Sequence, residues 1–238
     1  MTKIKQFKFF KIKFMEGDFK DIKFLLDKGG LLVLPAAPAL ANIHVDKNYH
    51  KALKHANIAL FDSGFFCLLL LIFKRIRVKK YSGLKFLSQL LDSFKNCSNQ
   101  IMMINPSYKE QSLNKRYLKL KKLNNILHYV APFYNKTNVK DLKLLKIINK
   151  NKPKYIIINL GGGVQELLGN YLKSNLDYKS SIICSGAAIA FLTGQQAKIP
   201  MILDRIYLGW LVRIIHKPSV FLPRYIKAFK LIYLIKYI

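Results

Sequence analysis

Two stretches of this chain put reactive groups at the ends of strand-like runs. In IALFDSGFFCLLLLIF (58–73), Asp62 directly follows a buried-type run and Gly64 heads a nearly unbroken apolar stretch. A carboxylate in that position supports two chemistries. It can cap the following helix through the amides of residues 63–66. In a partly apolar crevice it can instead hold the raised pKa that a general base needs. In LGGGVQELL (160–168), Gly161, Gly162 and Gly163 form a turn between a strand and a helix. Such a turn lets backbone N–H groups approach a phosphate at the helix N-terminus. It matches neither GxGxxG nor a Walker A loop. Gln165 and Glu166 occupy the first helical turn, where they either reach a bound ligand or supply ordinary N-terminal polarity.

Other chemistries are poorly supplied. Only 12 residues are Asp or Glu, and no D-x-D occurs, so an oxygen-ligand metal site is not expected. A leaving diphosphate would then be neutralised by cationic side chains. His44, His50, His55, His128 and His216 show no metal-ligand spacing, and His50 and His55 fall on different helix faces. Cys67, Cys97 and Cys184 are far apart and odd in number, which suits reduced thiols rather than a disulfide framework. No cofactor is expected.

The elements that must position these groups read as an α/β chain. Six runs suit strands buried on both faces of a mostly parallel sheet: LLVL (31–34), IALF (58–61), IMMI (101–104), HYVA (128–131), YIIIN (155–159) and SIIC (181–184). Helix-like segments separate them. One follows Asp18, one follows Asp46, and one sets Leu84, Leu87, Leu90 and Leu91 on a single face. FKFFKIKF (7–14) alternates Lys with apolar residues and reads as an N-terminal strand or hairpin. The strand tails are PAAP, DSG, NPS, PFY, LGGG and SGAA. Ligands of open α/β sheets bind outside the carboxyl ends of the strands, so these tails predict a crevice.

At 238 residues the chain has room for one large domain, or a domain with an appendage. With 51% hydrophobic and 22% charged residues it is not a disordered chain. The net charge of +29 attracts nucleic acid, an anionic membrane face or phosphorylated small molecules. No nucleic-acid recognition motif accompanies it, and the basic residues are spread among apolar neighbours, so nucleic acid is the least supported partner. Lys interrupts the N-terminus too often for a signal peptide, and 64–73 is about half a membrane span, so no spanning segment is expected. From Lys198 onward there are eight Lys or Arg and one acid, Asp204. Arg224, Lys227 and Lys230 fall within one helical arc, with Phe229, Ile232, Tyr233 and Ile235 adding apolar bulk. A helix packed on the core with a solvated basic face would explain part of this. The combination fits contact with an anionic bilayer better.

Several of these motifs together resemble one family. DSG with its apolar helix, KKYSGLKFL (79–87), LGGGVQE (160–166) and SGAAIAFLTGQQAKIP followed by LGWLVRIIHKPSVFLPRY (185–225) stand in the order and spacing of the WecG/TagA/CpsF glycosyltransferases. The likeness covers roughly residues 30–230. It implies a Rossmann-like glycosyltransferase core over 1–197 and a basic amphipathic, membrane-associating appendage over 198–238.

The resemblance also implies a reaction. An N-acetylmannosamine-type sugar passes from a UDP donor to a polyprenyl-diphosphate-linked acceptor, with inversion and without a metal, at the cytoplasmic membrane face. The product enters cell-surface polysaccharide synthesis. Asp62 matches the family's proposed base and Gln165 a Gln near the donor. Arg213 and Arg224 match appendage arginines that engage diphosphate. The family includes oligomers whose interfaces help form the site. This chain departs from the pattern at several places. It has Pro35-Ala36-Ala37 for Thr-x-Asn, and Lys80 for an Arg, which keeps charge but loses a bidentate fork. Gly161-Gly162-Gly163-Val164 stands for Gly-Ala-Pro-Lys, and Ala188-Ile189-Ala190-Phe191 contains no Asp. A non-catalytic member that binds lipid-linked glycan or a partner enzyme is the alternative these departures motivate.

Overall fold

The computed structural model describes residues 4–95, 99–196 and 199–236. Cys97 and the expected boundary between residues 197 and 198 lie outside them.

The chain opens with a hairpin of β1 (Lys5–Phe9) and β2 (Ile12–Glu16). Phe10 and Lys11 turn it at positive φ, as a two-residue hairpin loop requires. There follow α1 (Phe19–Leu26), β3 (Gly30–Val33), α2 (Ala37–Leu40), α3 (Lys47–His55), β4 (Ile58–Leu60), α4 (Gly64–Lys74) and α5 (Gly83–Ser93). The next elements are β5 (Ile101–Asn105), α6 (Tyr108–Leu120), β6 (Ile126–Val130), α7 (Leu142–Asn151), β7 (Tyr155–Ile158), α8 (Val164–Asn175) and β8 (Ser181–Cys184). Five helices close the chain: α9 (Ala188–Leu192), α10 (Met201–Arg205), α11 (Gly209–His216), α12 (Pro218–Ala228) and α13 (Lys230–Lys236).

One sheet holds all eight strands in the order β1-β2-β4-β3-β8-β7-β5-β6. Only the β1–β2 pairing is antiparallel. The six expected strands are all present, and the hairpin adds two at one edge.

The continuous apolar runs are explained by two cores. Successive strand residues point to opposite faces. Leu31 and Val33 of β3 join one buried cluster, while Leu32 and Leu34 join the other. Ile156 and Ile158 of β7 divide from Tyr155 and Ile157 in the same way. Helix α5 buries Leu87, Leu90 and Leu91 against the second core, whereas Leu84 is only half-buried and turns toward a cleft.

Asp46 caps α3, accepting from the Tyr49 N–H at 2.9 Å. Asp18 stands at the N-cap of α1 but makes no side-chain cap bond; it pairs with Lys79 at 2.7 Å.

The C-terminal helices dock on the first core. Tyr225, Ala228, Leu231 and Ile235 are buried in it. Helix α13 runs beside α4 in the same direction: the Phe65 and Phe229 rings meet at 5.4 Å, and Lys74 Nζ lies 3.5 Å from the Lys236 carbonyl. The apolar bulk expected of Ile235 therefore faces inward, and that of Ile232 partly so, while Phe229 and Tyr233 stay exposed. Among the described residues no helix is long and apolar enough to cross a membrane.

Candidate active site

The carboxyl ends of β3, β4, β5, β7 and β8 open into one cleft of about 1520 Å³. Five of the six strand tails named above contribute to its wall; PFY, after β6, does not. That strand is the outermost of the sheet, beyond the reach of the cleft. The chain from α10 to α12 forms the opposing wall, bringing Arg205, Tyr207, Trp210, Arg213, Lys217, Phe221, Arg224 and Tyr225 over the strand ends.

Asp62 lines this cleft, partly exposed. It does not cap α4. Ser63 does so, its hydroxyl accepting from the Phe66 N–H at 3.3 Å. Asp62 Oδ1 instead accepts the Gly83 N–H at 2.6 Å. The carboxylate is thereby held at the N-terminus of α5, the positive end of that helix. Gly64 serves a contact rather than a ligand. A Cβ there would stand 2.7 Å from the Tyr207 carbonyl oxygen, so the bare glycine lets α4 meet the main chain after α10. The Tyr207 hydroxyl donates to the Val78 carbonyl, fastening the same segment to the core.

The glycine loop divides in two. Gly161 and Gly162 line the cleft, and the space beside each α-carbon is open. Gly163 faces away from the cleft lining at φ +95°, a conformation that disfavours any side chain. Its N–H donates to Glu166 Oε2 at 2.7 Å. Glu166 is wholly buried, and burial raises its pKa, with the Gly163 and Gln165 hydrogen bonds opposing. Glu166 thus holds the loop from behind and does not reach the cleft.

Gln165 does reach it while tying two loops together. Its Oε1 accepts the Gly186 N–H at 2.7 Å, and its Nε2 donates to Glu166 Oε1 at 3.1 Å.

Lys80 lines the cleft paired with Asp204 of α10. The Arg213 guanidinium lies 4.9 Å from the Phe191 ring centre, and Arg224 lies 5.7 Å from that of Phe221. Aromatic faces of this kind steady a cation in place. Eight Lys or Arg against four Asp or Glu line the cleft, so it is an anion-attracting site. Among the described residues no three His, Cys, Asp or Glu side chains gather as a metal-binding group.

Three features escaped the sequence reading. A buried amide chain underlies the cleft floor: Asn114 Nδ2 donates to Asn105 Oδ1 at 2.8 Å, and Ser185 Oγ donates to Asn159 Oδ1 at 2.9 Å. The NPS and YIIIN tails were the only signal of it. Trp210 stands in the opposing wall, edge-on to Phe65 at 5.1 Å. Ser63 and Gly83 form the frame around Asp62; the DSG tail signals the first, while the second contributes only a backbone N–H.

The profile of the glycosyl transferase WecG/TagA/CpsF family matches residues 7–237. No curated protein sequence matches the chain. The profile takes in the hairpin, the sheet, the cleft and the C-terminal helices that form its far wall, so this chain belongs to the WecG/TagA/CpsF family of glycosyltransferases.

Proposed function

We propose that the cleft transfers an N-acetylhexosamine-type sugar, ManNAc-like, from a UDP donor to a polyprenyl-diphosphate-linked sugar, with inversion, in cell-surface polysaccharide synthesis. One observation carries this reading: Asp62, a carboxylate held at the N-terminus of α5 by the Gly83 N–H, shares a cleft with Arg213, Lys217 and Arg224. Asp62 takes the proton of the acceptor hydroxyl as that oxygen attacks the anomeric carbon from the face opposite the leaving group. The bond from the anomeric carbon to the diphosphate oxygen breaks, and UDP departs with the electron pair. Lys80 and the arginines stabilise the growing charge on the diphosphate. In this reading they take the part that a metal ion plays elsewhere, consistent with a sequence that has no D-x-D. Gly161 and Gly162 offer their open backbone to the donor phosphates, and Gln165 sits where it can orient the donor.

The protein works in this reading as a peripheral protein at the cytoplasmic face of the membrane, with 198–238 as the bilayer-contacting appendage. Support comes from a helical stripe of Leu222, Ile226, Phe229 and Tyr233, spaced i, i+4, i+7, i+11, all exposed and flanked by Arg224, Lys227 and Lys230.

A panel of UDP-sugars with a short-chain polyprenyl-diphosphate-GlcNAc acceptor tests the reaction. The expected result is UDP release with a lipid-linked disaccharide from one donor. Binding of UDP with no donor turned over would favour the non-catalytic alternative suggested by Pro35-Ala36-Ala37.

A further inference from the structure

We infer that the bilayer-docking surface is composite: the distal turn of α4 and the β1–β2 hairpin, both outside the C-terminal helices, continue the α12–α13 stripe into one face that binds anionic lipid. This rests on the membrane reading above and enlarges its footprint onto the core.

Leu71, Ile72 and Phe73 are 38%, 58% and 41% exposed. Consecutive helical residues point about 100° apart. Three in a row exposed therefore mean that this turn projects beyond the packed layers on most of its circumference. Scattered exposed apolar residues are ordinary, but a contiguous set marks an interaction surface. This set continues. Because α13 lies beside α4 with Lys236 at the level of Lys74, exposed Tyr233 stands one turn back along the same edge.

A recess of about 160 Å³ lined by Lys8, Phe9, Leu70, Lys74, Ile76 and Ile235 joins the hairpin to this edge. Lys8 of the edge strand and Lys74 of α4 bring two cations to this recess. Exposed Arg75 follows the apolar turn.

The chemistry selects the occupant. An apolar and aromatic centre with a Lys/Arg collar fits an anionic bilayer, whose tails take the former and whose headgroups take the latter. A second copy of this chain would bring +29 against +29.

The test is co-sedimentation of the full chain with phosphatidylcholine vesicles carrying increasing phosphatidylglycerol. Leu71→Ser/Ile72→Ser/Phe73→Ser should lower partitioning about tenfold with the far-UV circular dichroism unchanged, since the altered residues project from the core. Lys8→Glu/Arg75→Glu should lower it selectively on phosphatidylglycerol-rich vesicles. Wild-type-like partitioning of both variants, with loss on Leu222→Ser/Ile226→Ser/Phe229→Ser, overturns this inference and leaves the C-terminal reading standing. Absence of wild-type binding overturns both. A change in oligomeric state without vesicles, with partitioning unaltered, would assign the face to a protein contact and also overturn the inference.

Discussion

Lys80 and Asp204, 124 residues apart, form an ion pair that joins the α4–α5 connection to α10 at the wall of the cleft. Asp204 is the one acid after residue 198. The pair is 11% and 32% exposed, between a surface bridge and a buried one. Lys80→Ala should therefore cost about 1–2 kcal/mol, read as a lowered denaturation midpoint. Asp204→Ala in the same background should cost less than it does alone, giving a coupling of about 0.5–2 kcal/mol in a double-mutant cycle. Lys80→Arg should keep the pair. Strictly additive single effects would mean that the two groups do not hold one another.

The Asp62–Gly83 bond separates the chemistry of Asp62 from its structural part. Asparagine keeps an oxygen for the Gly83 N–H but cannot take a proton. Asp62→Asn should thus fold with near-native stability and lose about 10²–10⁴ in sugar transfer. Asp62→Ala should in addition lose about 1 kcal/mol of stability, because the N-terminus of α5 loses an acceptor. Retained transfer in Asp62→Asn would remove the base from the mechanism.

Gly161, Gly162 and Gly163 should respond differently to alanine. A methyl at Gly161 or Gly162 enters open space, so stability should change by no more than about 0.5 kcal/mol while UDP affinity falls. Gly163→Ala faces a positive φ and the Lys136 side chain at 3.3 Å, and should cost about 1–2 kcal/mol. Titration calorimetry with UDP and thermal denaturation, run on all three, distinguish the cleft-lining pair from the structural third.

Glu166 gives the protein a pH signature. Its folded pKa is raised by burial, so in the unfolded chain it ionises at lower pH than in the fold. The stability it contributes is full below the ordinary carboxyl range and is lost as pH climbs through the raised folded value. Glu166→Gln keeps an oxygen for the Gly163 N–H and does not titrate. The melting temperature of Glu166→Gln minus that of wild type should therefore grow as pH rises above the ordinary carboxyl range. A pH-independent difference would contradict the raised value.

How much of this could be read in the chain depends on range. Five of the six strands announce themselves because they are buried on both faces, which leaves a continuous apolar run with a turn at its end; the edge strand β6 is only half-buried. The cleft followed, since five tails emerge at one sheet edge. Asp62 was placed correctly at the strand end, but its partner was not: Gly83 lies 21 residues on and contributes a backbone N–H, which leaves no residue-type signal. The sequence leaves both readings of Glu166 open, because first-turn polarity looks the same whether a side chain turns outward or back onto its own loop. The division of the C-terminal apolar residues into buried Tyr225, Ala228, Leu231 and Ile235 and exposed Leu222, Ile226, Phe229 and Tyr233 depends on where α4 lies. Periodicity gives both stripes and does not say which one docks.

That division changes how membrane binding must be tested. Removing residues 198–238 looks like the direct experiment on an appendage. It would also strip Tyr225 and Phe229 from Phe65, and Leu231 and Ile235 from the first core, leaving α4 with a bare apolar flank. The truncated chain should aggregate, and pelleting with vesicles would then mimic binding. Leu222→Ser/Ile226→Ser/Phe229→Ser leaves Tyr225, Ala228, Leu231 and Ile235 in place. Its melting temperature should fall by only a few degrees, since the altered side chains are 45%, 59% and 49% exposed. Its partitioning onto anionic vesicles should drop about tenfold or more, in line with three apolar side chains withdrawn from lipid. Unfolding of this variant at ordinary temperature would mean that the stripe belongs to the fold, whereas a stable variant that still pellets with vesicles would move the anchor elsewhere on the molecule.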